Sequence, residues 1–188
     1  MKIKISFLSV MLILSLIITD FNFFIASFAA VTIHEFGHIL LAKYKKIPLK
    51  EFSFGIYGAG LTPQCNTFSY TDEILLCFSG PLSNFLSIPL GVISYLVFPY
   101  EIITQFISAS LVLGTLNILP IKSFDGGRIL YSLICIRHSP DVAEKILSAV
   151  SFIFIFFIWS ISVYLLIIAE FGLSMFIFSI SLFTKFFL

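Results

Sequence analysis

The chain has 188 residues, 59% of them hydrophobic and 11% charged, with a mean hydropathy of +1.10 and a net charge of +1. A soluble domain carries about a quarter charged residues, so this composition excludes a water-soluble globule and predicts an all-α polytopic membrane protein. There is no basic run beyond Lys43, Lys45 and Lys46, so no electrostatic footprint for nucleic acid is present and none is expected as a partner.

Apolar runs predict about six spans: 3–19, 22–42, 74–98, 102–136 with an interruption, 145–168 and 171–187. The start resembles a signal peptide, with Ser27-Phe28-Ala29 as a faint cleavage site, but its apolar run is too long for one; an uncleaved first helix is expected. The connectors at Asp20, Tyr100-Glu101 and Glu170 are short enough for helical hairpins. Alternating spans from a cytoplasmic N-terminus puts Lys2, Lys4, Lys43, Lys45, Lys46, Lys50, Arg137, Lys145 and Lys185 on the cytoplasmic side. Asp20, Glu101 and Glu170 fall on the other side, which satisfies the positive-inside rule and makes both termini cytoplasmic.

The second span contains His34-Glu35-Phe36-Gly37-His38. Two imidazoles four residues apart lie on one helix face, a turn from each other. They make a ready pair of zinc ligands, with Glu35 beside them as general base. Ionisable groups at membrane depth are costly and are functional candidates by default. His34 precedes Lys43 by nine residues, which sinks the motif about 13 Å below the cytoplasmic helix end.

Residues 47–73 break the helical pattern with Pro48, Gly55, Gly58, Gly60, Pro63 and Asn66, while Phe52, Phe54 and Ile56 alternate with Ser53 and Gly55. That period of two predicts a short β-hairpin or re-entrant loop at the membrane interface. Asp72 and Glu73 are expected in the solvated connector before the third span. Early in that span, Gly80-Pro81 predicts a kink and Asn84 is a hydrogen-bonding group at depth. Asn84 can donate to an oxyanion or a substrate carbonyl, or simply face the bundle behind a packing kink.

The fourth run is interrupted by Asn117-Ile-Leu-Pro120-Ile-Lys-Ser-Phe-Asp125-Gly126-Gly127. Pro120 removes a backbone donor and Gly126-Gly127 permit sharp backbone changes. Catalytic zinc takes three protein ligands and leaves one position open. Apart from Glu35, Asp125 is the one carboxylate well inside a predicted span. Taken alone, the segment also reads as a loop with Asp125 at a turn; beside His34 and His38 the ligand reading is preferred. Asn117 can hold the broken backbone or a substrate's peptide groups. His138, near Arg137 and Asp141, is expected on the surface, and Cys65, Cys77 and Cys135 are expected to be ordinary small residues without disulfides.

Three blocks now stand in order: His34-Glu35-x-x-His38, Gly80-Pro81-x-x-Asn84 and Asn117-x-x-Pro120-x-x-x-x-Asp125-Gly126. In this the chain resembles the site-2 proteases, the intramembrane zinc metalloproteases of peptidase family M50. The resemblance implies one zinc ion per chain held by His34, His38 and Asp125, Glu35 activating water, and Asn84 and Asn117 positioning substrate. It implies a strand edge within 50–60 that receives an unwound substrate by β-augmentation.

A small core without a PDZ insertion looks most like the stage IV sporulation protein FB branch, here expected without that branch's C-terminal CBS domain. That branch cleaves a membrane-associated sigma-factor precursor in spore-forming bacteria. The expected whole is a single membrane-embedded metalloprotease domain, 1–188, in a bacterial cell membrane. Its expected partners are the lipid bilayer, a transmembrane protein substrate and an inhibitory membrane protein. The competing readings are a catalytically silent homologue that binds membrane helices, a metal carrier, and a membrane zincin with a glutamate third ligand from an ExxxD helix. The last is disfavoured because neither Glu144 nor Glu170 has an Asp four residues on.

Overall fold

The computed structural model describes residues 21–47, 49–55, 58–63, 69–168 and 173–187. The expected first span, 3–19, lies outside them, as does Cys65. Six helices and one ribbon are described: α1 (Phe21–Tyr44), β1 (Leu49–Gly55), β2 (Gly58–Pro63), α2 (Tyr70–Val97), α3 (Glu101–Ile118), α4 (Asp125–Cys135), α5 (Pro140–Ile168) and α6 (Leu173–Phe187). Helices α1, α2 and α3 pack on one another, α4 lies against α2 and α3, and α5 and α6 follow on from α4.

Each helix buries a narrow stripe, in α1 to α4 made mostly of small or polar residues, and leaves many large apolar residues facing outward. On α1 the stripe is Ala26, Ala30, His34, His38 and Ala42, one residue every four, so the histidines continue a row of alanines. On α5 it includes Ala143, Leu147, Ser151, Ile155, Ile158 and Ser162. Outside are residues such as Leu96 and Ile167, each 78% exposed. In hydrocarbon there is no hydrophobic drive between helices, so close approach and internal hydrogen bonds hold them together. Ser83 Oγ to the Ile33 carbonyl (2.8 Å) ties α2 to α1, and Ser162 Oγ and Ser179 Oγ (2.8 Å) join α5 to α6.

Four described helices, α1, α2, α3 and α5, are long and apolar enough to cross a bilayer. The expected fourth run is two helices separated at 119–124, because Pro120 cannot supply the donor that continues α3. The run expected at 171–187 gives the 15-residue α6, about 22 Å long and short of a full hydrocarbon core. Two boundaries differ from expectation. Asp72 and Glu73 are in the first turn of α2 instead of the connector, where Ser69 caps the helix by accepting from the Thr71 amide (3.3 Å). Asp141 and Glu144 are inside α5, which starts at Pro140, since proline's fixed φ and missing N–H suit a helix's first turn.

The expected hairpin is present: β1 and β2 pair antiparallel from Leu49↔Pro63 to Gly55↔Gly58, with an irregularity between Leu49 and Glu51. It follows a tight stop to α1. The Ile47 amide donates to the Ala42 carbonyl (2.9 Å) and the Lys46 amide to the Lys43 carbonyl (3.2 Å), with Lys46 at φ 54°. This is a Schellman closure with lysine in the left-handed position usually given to glycine.

Candidate metal centre

The break between α3 and α4 brings the third carboxylate to the histidines. The Lys122 amide donates to Ser151 Oγ (2.9 Å), and Ser151 Oγ donates to the Pro120 carbonyl (3.3 Å), so one serine of α5 satisfies backbone that neither helix can use. Behind it Ile121 and Phe124 are buried with Ile155, Ile158 and Leu182. Asn117, read from sequence as a holder of this backbone, donates Nδ2 to the Leu113 carbonyl of its own helix (3.1 Å). Gly126 and Gly127 are in the first turn of α4 without positive φ, and their value is room. A Cβ on either would strike the carbonyls of Ile118 or Ile121, where the chain passes over itself.

Asp125 is the first residue of α4 and its side chain is 14% exposed. Its carboxylate sits at the N-terminal end of that helix. Oδ2 lies 3.0 Å from His34 Nε2 and 3.2 Å from His38 Nε2, and the two nitrogens are 3.3 Å apart. Three donor atoms thus form a nearly equilateral triangle. Donors on a tetrahedral zinc at about 2.0–2.1 Å are about 3.3–3.4 Å from one another, so the triangle has the size that zinc requires. His34 and His38 are 4% and 5% exposed, and Glu35, one residue on, is 6% exposed.

The chemistry of the donors agrees. His38 Nδ1 is 2.8 Å from the Leu76 carbonyl of α2, so Nδ1 carries the proton and donates. Nε2 is then a bare lone pair facing the triangle, the tautomer a metal ligand needs. Leu76 also accepts from Ser79 Oγ (2.6 Å), which fixes that carbonyl. On the triangle's other side is Gly80, where a Cβ would collide with His38 Nε2 and come within 2.8 Å of His34 Nε2. The α2 backbone leaves this space free beside both nitrogens because residue 80 has no side chain. The residues present therefore fit a zinc ion.

The described residues bring four of the six sequence candidates together: His34, Glu35 and His38 on α1 and Asp125 on α4. Asn84 is wholly buried beside them, with Nδ2 3.5 Å from His34 Nδ1. Asn117 has its hydrogen bond within α3, to the Leu113 carbonyl. His138 is exposed, and Cys77 is a buried free thiol. Sequence reasoning missed Gly80 as a fitted wall, Ser151 as the brace of the break, and an ion pair between Glu73 and Arg128 (3.1 Å), in which Ser132 Oγ also donates to Glu73 (3.0 Å). The first two had a signal, a glycine and a serine on buried helix faces; the third had none.

Comparison with known proteins agrees with this geometry. The model of Peptidase family M50 matches residues 95–159, a stretch that contains Asn117 and Asp125 but not His34 or His38. A curated zinc metalloprotease of Methanocaldococcus jannaschii is 25% identical over 161 residues, covering 79% of this chain and 46% of its own length. The chain thus spans about half of that relative. The solved structure of a site-2 protease from Methanocaldococcus jannaschii superposes with a TM-score of 0.71 at 20% identity, covering 98% of this chain and 88% of the other. The fold is that of a site-2 protease, the resemblance to M50 zinc metalloproteases covers part of the chain, and four described helices are long and apolar enough to cross a membrane.

Proposed function

We propose that the chain is a zinc endopeptidase that cuts a peptide bond within or next to a transmembrane segment of another membrane protein. One observation carries this reading: His34 Nε2, His38 Nε2 and Asp125 Oδ2 lie within 4.8 Å of one another among helices built to cross a bilayer. A bound zinc would supply Lewis acidity, polarising the scissile carbonyl and acidifying water to a pKa of about 7. Glu35, buried beside both histidines, takes the proton as the water oxygen bonds to the carbonyl carbon, and passes it to the leaving nitrogen as the C–N bond breaks. His34, His38 and Asp125 would hold the ion and would not exchange protons with substrate. Asn117, at the C-terminal end of α3 just before the break, is the residue we assign to the substrate's peptide groups.

A helical substrate hides its peptide bonds in its own hydrogen bonds, so it must be unwound before attack. The β1–β2 ribbon, beside the end of α1 that bears Lys43, offers strand edges for that purpose. The substrate we propose first is a membrane-associated sigma-factor precursor, supported by the sequence resemblance and by a core with only a ribbon between α1 and α2. An inhibitory membrane partner would then govern access. We place the Lys43 end of α1 in the cytoplasm of a bacterial cell. This is supported by Lys45, Lys46 and Arg137 at the same end of the bundle, where Lys45 pairs with Asp72 (2.9 Å).

The test compares wild type with Glu35→Gln, both purified at full length, for zinc content and for cleavage of a reconstituted single-span substrate. Equal zinc in both and cleavage reduced at least about 100-fold in the variant are expected. Undiminished cleavage by Glu35→Gln would remove Glu35 as the base, and a wild type free of zinc would end the metalloprotease reading.

A further inference from the structure

We infer that Asn84 is a positioning residue that orients His34 for the metal through His34 Nδ1. The inference rests on the zinc-site reading and gives Asn84 a task different from the substrate contact expected of it.

Asn84 is 0% exposed. Its amide meets His34 at Nδ1, the ring nitrogen that points away from Asp125, with Nδ2 at 3.5 Å. Its Oδ1 is buried and without a hydrogen-bond partner. A buried amide oxygen left unpaired is destabilising, because it has given up its hydrogen bond to water without a replacement. The oxygen and nitrogen of an amide occupy equivalent positions, and half a turn about the last side-chain bond exchanges them. When His34 Nε2 binds a cation, Nδ1 must carry the proton and needs an acceptor. The exchanged amide places Oδ1 there, pairing the orphaned oxygen and fixing the ring's tautomer in one contact. His38 already has this arrangement, with the Leu76 carbonyl as acceptor at 2.8 Å. The two ligands would then be held alike, one by a backbone oxygen of α2 and the other by a side-chain oxygen two turns further along α2.

The surroundings hold Asn84 in place. Ser83 Oγ to the Ile33 carbonyl (2.8 Å) clamps the residues just before Asn84 and His34 to each other. Ser87 Oγ donates to the Asn84 carbonyl (2.7 Å). Gly114 of α3 lies over this part of α2, where an added Cβ would be 3.2 Å from the Phe85 ring and 3.4 Å from Asn84 Cβ. With α1, α2 and α3 packed around it, Asn84 is wholly buried and its amide lies against His34.

The experiment is a competitive zinc titration of the full-length chain in detergent, for wild type, Asn84→Leu and Asn84→Asp, repeated by Co2+ absorption spectroscopy. Leucine keeps the volume and removes the acceptor, so zinc affinity should fall about 10–100-fold and the cobalt spectrum should shift. Aspartate restores an acceptor for Nδ1–H, so affinity and spectrum should stay at or above the wild-type level. If Asn84→Leu does not fold, Asn84→Ser, too short to reach Nδ1, replaces it with the same expected loss. Wild-type affinity in the leucine or serine variant, or an aspartate variant as weak as they are, overturns the role of Asn84 and leaves the metal site standing. A wild type that takes up no zinc overturns both.

Discussion

His34, Glu35 and His38 share one helix turn, but what makes them a site is the atoms opposite. The Leu76 carbonyl sets the proton of His38 on Nδ1, and Gly80 leaves the space beside both Nε2 atoms free. A methyl group at position 80 would occupy the place of the metal's own coordination sphere, with α2 backbone behind it that cannot retreat. Gly80→Ala should therefore lose at least about tenfold in zinc affinity, as do other changes next to a metal's ligands, while helix content rises or stays level because alanine favours helix. Zinc titration beside circular dichroism separates the two. Wild-type affinity would show that the wall has more slack than the geometry allows.

At the scale of elements, α4 decides whether Asp125 reaches the histidines. It has 11 residues and is held at both ends. At its start, Ser151 braces the broken backbone. One and two turns on, Arg128 and Ser132 grip Glu73 of α2. The side chains of Arg128 and Glu73 are 30% and 22% exposed, sheltered enough for the pair to matter more than a surface ion pair. Replacing Glu73 with Gln removes the charge partner from Arg128 and should lower stability by about 1.5–3 kcal/mol, read as a lower thermal midpoint in detergent. A double change with Arg128→Ala should lose less than the sum of the single changes; strict additivity would mean that the two side chains do not cooperate. Lys122, in the same break, reaches Glu144 on α5. Ser151 is 11 residues into α5, about 16 Å from its start, whereas Glu144 is about 6 Å from it. The ammonium thus climbs toward the interface from a deep backbone, as snorkelling lysines do.

For the molecule as a whole, the candidate metal centre is a cross-link. His34 and Asp125 are 91 positions apart, and one ion would join α1 to α4 through the middle of the bundle. A ligand present at 100 times its dissociation constant adds about 2.7 kcal/mol to the stability of the state that binds it. Stripping zinc with a chelator should lower the thermal midpoint and abolish cleavage, and restoring zinc should recover both. An unchanged midpoint would mean that the ion does not bridge the two helices. The same bundle differs from a soluble protein in how much polar side chain it buries and how much large apolar side chain it exposes. Serines, histidines and Asn84 are inside and large apolar residues such as Ile153 (64% exposed) and Phe157 (62%) are outside, because only the interior offers hydrogen bonds when the solvent is hydrocarbon.

The sequence by itself determined the membrane class, the pairing of His34 with His38, the ribbon after α1 and the interruption before Asp125. Each follows from composition or from neighbours within about ten residues, where helical and strand periodicities and proline sterics act. It did not determine that Glu73 starts a helix and holds Arg128, that Ser151 instead of Asn117 satisfies the break, or that Gly126 and Gly127 serve by their lack of volume. Nor did it reveal that Asn84 faces the back of His34. Those depend on which helix faces meet and at what depth, and a contact such as Ser132 to Glu73, 59 residues apart, leaves no periodic trace along the chain. Tertiary packing alone brings one carboxylate oxygen and two imidazole nitrogens to the spacing of a metal's coordination sphere.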